Sequence, residues 1–126
     1  KTNAAYNFYN MPADAEFIIT DRLAMRAASD FDNYCYTVAQ SVAGMVNEPV
    51  IDKLHQIKQP ALIVFGENDN LIPNRYLNPG STRDIAEKGH EKLPNSRLKM
   101  IPKCGHFAPY EKPEAVNEAI RNFMEE

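Results

Sequence analysis

The sequence has no tryptophan, five glycines and two cysteines in 126 residues. Cys35 and Cys104 form neither a CxxC pair nor a disulfide framework, which points to a reducing, cytoplasmic setting. No apolar run approaches the roughly 18 residues that cross a bilayer, so no membrane partner is expected. Positive charge is not in excess either. With 14 Lys and Arg against 17 Asp and Glu, the formal charge is −3, and nothing electrostatic favours nucleic acid or an anionic membrane. The three histidines are scattered, without HExxH or HxH spacing, and imply no metal site. Repeats and low-complexity tracts are absent. The opening "KTNAAYNFYN" has neither an initiator Met nor a signal segment, and reads as the start of a chain cut from something longer.

What is present is enough residues for one ordinary domain, with 44% hydrophobic and 25% charged residues, a soluble globular composition. "PADAEFIITDRLAMRAAS" (12–29) predicts a helix, with Pro12 at a first helical position and Asp14 and Glu16 in the first turn. Phe31, Tyr34, Cys35, Val38, Val42 and Met45 recur at helical spacing, so residues 30–46 predict a second. "ALIVF" (61–65), set between Pro60 and Gly66, reads as a strand buried on both faces, the parallel-sheet type. Ser81 and Asp84 open a helix that Pro94 closes, "RLKMI" (97–101) alternates as an edge strand does, and Pro113 starts a last helix with Val116, Ala119, Ile120 and Phe123 on one face.

The last two thirds are therefore a βαβα unit, with Asp69 after the first strand and His106 after the second. In open α/β sheets functional residues gather beyond the carboxyl ends of the strands. A carboxylate and an imidazole brought together there make the orienting half of a catalytic triad: the acid accepts one ring N–H, and the other nitrogen takes a proton from a nucleophile. Glu67 is the rival acid, read as solvated or as shaping the turn. His90 is expected at the surface of a polar helix, His55 has no evident partner, and Cys104 reads as a small core residue.

"PALIVFGENDNLIP" followed by "LKMIPKCGHFAPYEKPEAVNEAIRNFM" resembles the carboxyl-terminal part of an α/β-hydrolase. The family's acid turn matches Gly66, Asp69, Ile72 and Pro73; its Gly-His loop matches Gly105 and His106; Glu111 and Pro113 match the Glu and Pro that follow. The resemblance covers residues 57–126. It implies that residues 1–50 are a helical segment from the cap region and 51–126 the βαβα part of the core. The Asp69-to-His106 gap is longer than the family's usual one, because "NRYLNPGST" adds a loop.

The family's G-x-S-x-G nucleophile elbow is absent, and its oxyanion-hole donors with it. In "AQSVAG", Ser41 lies between Ala39 and Ala43, in the order Ser41, Asp69, His106. The elbow needs a strand before and a helix after, yet the apolar stripe runs at helical spacing through Ser41, which makes it an ordinary helix residue. Ser29, Ser81 and Ser96 have no elbow context.

The expectation is a carboxyl-terminal fragment of a serine-type hydrolase that acts on a small, apolar ester-like substrate without a cofactor. Alone it would be inactive, or fold by pairing with its missing amino-terminal half or with a copy of itself. Epoxide, haloalkane and C–C bond hydrolysis are open within the same fold. The Tyr6, Phe8, Tyr9, Tyr34 and Tyr36 aromatics serve either a pocket or plain cap packing. Outside catalysis, the alternative is a ligand- or partner-binding module of the same fold, although such a module needs neither Asp69 nor His106.

Overall fold

The computed structural model describes residues 2–125. A short helix, α1 (Thr2–Ala5), precedes a 3-10 turn (Ala13–Glu16), α2 (Phe17–Met25) and α3 (Phe31–Asn47). A second 3-10 segment (Ile51–Gln56) leads to β1 (Ala61–Gly66), α4 (Thr82–Lys92), β2 (Ser96–Ile101), α5 (Ala108–Glu111) and α6 (Pro113–Met124). β1 and β2 pair in parallel, from Ala61 opposite Ser96 to Gly66 opposite Ile101, with α4 as the crossover. This is an α/β architecture, with the two strands forming a parallel pair and helices flanking it.

The first predicted helix is shorter than its composition implied. Pro12 stands outside it as an extended N-cap (φ −63°, ψ 148°), and the first turn is 3-10. At the other end the N–H groups of Arg26, Ala27 and Ala28 donate to Leu23, Ala24 and Met25, three residues back. Bonds of that span tighten and terminate a helix. α3 runs unbroken through Ser41 but buries no residue, and its stripe stays open, with Val38 and Val42 44% and 50% exposed.

β1 also departs from expectation. Ala61 to Phe65 are half-buried rather than enclosed on both faces, because β2 is the only strand beside them among the described residues. β2 alternates as foreseen, with Arg97 and Lys99 outward and Ile101 buried. α4 begins at a capping box: Ser81 Oγ accepts the Asp84 N–H (3.2 Å), while Asp84 Oδ2 accepts the Ser81 N–H (2.5 Å). The Ser81 N–H and, at 2.8 Å, the Ser81 hydroxyl both donate to Oδ2 and hold the Asp84 carboxyl below its ordinary value, the backbone donor contributing most. His90, expected at the surface, is instead half-buried, with Nδ1 2.8 Å from Ser96 Oγ across the α4–β2 junction. Among the described residues no helix is long and apolar enough to cross a membrane.

The main buried cluster is Ile101, Cys104, Ala108 and Val116, with Val64 and Ala115 packed on it. It therefore sits at the carboxyl end of the sheet, under the loops that carry Asp69 and His106. Burial pushes the Cys104 thiol up to about 11, with the nearby Glu111 charge adding to the effect. A thiol held protonated is neither a nucleophile nor readily alkylated. We expect iodoacetamide at pH 8 to modify the native chain once, at the exposed Cys35, and twice in denaturant, as read by intact mass. The unfolded thiol ionises first, so stability falls as pH rises from about 9 towards about 11.

Candidate active site

The parallel register sets the site. Gly66 and Ile101 lie opposite each other at the strand ends, so the two outgoing loops start side by side. They are then laced together: Glu67 N–H donates to the Ile101 carbonyl and Asn68 N–H to the Cys104 carbonyl, each at 2.9 Å. Lys103, in the left-handed region (φ 50°), turns the second loop back towards the first.

The outcome is a direct contact between Asp69 and His106. Asp69 Oδ2 lies 2.8 Å from His106 Nδ1, and the Asp69 side chain is only 2% exposed against 38% for His106. The other carboxylate oxygen, Oδ1, accepts the N–H groups of Leu71 (2.7 Å) and Ile72 (3.1 Å). A buried carboxylate needs such partners for its lone pairs. An acceptor oxygen on Nδ1 favours the tautomer with its proton on that nitrogen, which leaves Nε2 its lone pair. The His106 ring lines a cleft of about 200 Å³ with Val64, Phe65, Asp69, Ala108 and Pro109.

Glu67 is not a competitor for the imidazole, since its carboxylate is paired with Arg83 of α4 at 2.6 Å. Thr82, the first residue of α4, is a contact that sequence reasoning missed. It is 5% exposed, and its hydroxyl proton is shared between the carbonyls of Ile72 (2.7 Å) and Asp69 (3.2 Å). One side chain thus clamps both ends of the acid turn. Only its position beside the capping Ser81 hinted that it would face inward.

The aromatic residues of the first ten positions divide. Phe8 is 2% exposed and packs edge-on against Phe107 (5.4 Å between centroids) and Tyr110 (6.0 Å), beside the histidine loop. Tyr6 and Tyr9 remain about half exposed, at 49% and 50%. Tyr36, on α3, is 67% exposed. Ser41 lies inside α3 and has no strand-to-helix turn around it. Among the described residues no cluster of His, Cys, Asp and Glu has the arrangement of a metal site.

Comparison with known proteins gives concordant results. A family model described as "alpha/beta hydrolase fold" matches residues 1–113. The chain is 33% identical over 73 residues to the uncharacterized hydrolase YugF of Bacillus subtilis, a match covering 58% of this chain and 23% of that protein. It is 29% identical over 72 residues to a 2-hydroxy-6-oxononadienedioate/2-hydroxy-6-oxononatrienedioate hydrolase of Paraburkholderia phymatum, covering 57% of this chain and 22% of the relative. The matched stretch thus spans less than a quarter of either relative. Among solved structures, MGS-M2, an alpha/beta hydrolase enzyme from a Medee basin deep-sea metagenome library, superposes with a TM-score of 0.50 at 24% identity, covering 97% of this chain and 42% of that one. That likeness is one of fold.

Proposed function

The chain belongs to the α/β-hydrolase fold family, and from that premise we propose that it carries the acid and the histidine of a Ser-Asp-His hydrolase. The observation that supports this most is the buried Asp69 carboxylate on His106 Nδ1 at 2.8 Å, with the His106 ring lining a cleft. His106 acts as general base towards a serine hydroxyl and then as general acid towards the leaving group, while Asp69 holds the tautomer and stabilises the imidazolium. The serine and the oxyanion-hole donors come from polypeptide outside these 126 residues. Two features favour that division: Ser41 is held within a helix, and the relatives are some four times longer than the stretch they share with this chain. By itself the chain is inactive, and its half-buried β1 is completed by the remainder of the sheet.

The substrate we favour is a small apolar ester. A second reading is favoured by relatives named for 2-hydroxy-6-oxononadienedioate, among them one 32% identical from Pseudomonas putida. In it the same triad cuts a C–C bond beside a ketone instead. Turnover of short p-nitrophenyl esters and of a keto-acid by the serine-bearing protein decides between the two. For whichever substrate is turned over, His106→Ala should lower kcat by about 10³-fold or more. Activity retained in that variant would remove His106 from the mechanism.

A further inference from the structure

We infer that Glu111 is a positioning residue for His106, acting through the N–H of the adjacent Gly105 and tying that residue to residues 7–10; the inference rests on His106 being the general base. Three backbone donors converge on this one carboxylate. Oε2 accepts the N–H of Gly105 at 2.7 Å and of Tyr9 at 3.1 Å, and Oε1 accepts the N–H of Asn10 at 2.7 Å. The two segments so joined lie about a hundred residues apart in the chain. Phe107 N–H adds a bond to the Asn7 carbonyl (3.0 Å), so the residues on both sides of His106 are tied to this strip, Phe107 directly and Gly105 through Glu111. The strip is also in contact with the loop backbone, since a Cβ on Gly105 would stand 2.6 Å from Phe8 C and Tyr9 N.

A carboxylate suits this position because it is acceptor-only and offers two oxygens. Its charge strengthens each backbone bond. A glutamine has a single acceptor oxygen and would turn an NH2 group towards one of the three donors. An alanine leaves all three unpaired. The loop then loses its fixed depth against Phe8, and the imidazole its alignment with Asp69 and with the nucleophile. A misplacement near 1 Å costs on the order of 100-fold in a reaction that depends on alignment.

The test uses the serine-bearing protein with Glu111→Gln and Glu111→Ala. Three readouts are taken: kcat and KM, amide exchange at Tyr9, Asn10 and Gly105, and the low-field Nδ1 proton resonance of His106. Expected are a fall in kcat on the order of 100-fold for Glu111→Ala with KM little changed, and about tenfold for Glu111→Gln, an intermediate loss. The Nδ1 resonance should shift and broaden in the same order, with faster exchange at the three amides. If Glu111→Ala does not fold, Glu111→Gln carries the test. A kcat within twofold of wild type in the folded variants overturns the inference. So does an unshifted Nδ1 resonance beside a reduced kcat, which would make Glu111 a structural staple only. The failure of the underlying reading is separate: it shows as undiminished turnover in His106→Ala, while the resonance and exchange data still decide what Glu111 does to the loop.

Discussion

Asp69→Asn should lower kcat of the serine-bearing hydrolase by about 10⁴-fold while leaving its fold and KM nearly unchanged. The reason lies in how the two carboxylate oxygens are used. Oδ1 accepts two backbone N–H groups, from Leu71 and Ile72, so the amide oxygen of asparagine is drawn to that side. The amide NH2 must then face His106 Nδ1, where Oδ2 now lies at 2.8 Å. Donor against donor is avoided only if the imidazole moves its proton to Nε2. That tautomer cannot take a proton from a serine, although every heavy atom is close to its original place. The check is kcat and KM for the variant, with circular dichroism to establish that it is folded. Activity within tenfold of wild type would mean that Asp69 does not set the tautomer, and that the contact is structural.

Gly66→Ala is expected to have the largest effect on stability, about 3 kcal/mol, at the upper end of ordinary overpacking costs. Gly66 ends β1 directly beneath the histidine loop. A Cβ there would stand 2.7 Å from the Cys104 carbonyl carbon and overlap the carbonyl oxygens of Cys104 and Gly105. These are backbone atoms, held by the Asn68 N–H to Cys104 bond and by Glu111 on Gly105, so they cannot swing aside as a side chain would. Relief comes only by separating the two loops, which also separates Asp69 from His106. Urea unfolding measures the first consequence and the Nδ1 resonance of His106 the second. A variant as stable as wild type would mean that the loops are free to move apart.

These two predictions rest on parts of the molecule that the sequence signals in different ways. The Asp69 and His106 contact was legible because its causes are local: an apolar run ending at Gly66, a turn-forming acid, a Gly-His after the second strand, and the rule that parallel strands set their loops side by side. The α4 start was legible for the same reason, since Ser81 and Asp84 are three residues apart and satisfy each other. Contacts across the fold carried no such signal. Thr82 reaches back 13 residues to the Asp69 carbonyl, and Glu111 reaches more than a hundred to Tyr9 and Asn10. β1 is only half-covered although its apolar run reads as built for burial on both faces, because such a run reports what a strand is built to bury, not what stands beside it. α2 was overextended for a related reason: helix propensity through Ala27 and Ala28 says nothing about the i→i+3 bonds that close the helix there.

The central claim is that Asp69 and His106 activate a serine contributed by polypeptide outside these 126 residues. The most direct measurement is intact mass and peptide mapping after a serine-reactive fluorophosphonate. It is applied to this chain, to the proposed longer, serine-bearing protein, and to that protein with His106→Ala. The account predicts no adduct on the chain alone, one adduct on a serine of the longer protein that lies outside residues 1–126, and loss of that adduct in the variant. An adduct mapping to Ser41, or labelling of His106→Ala at the wild-type rate, would contradict it.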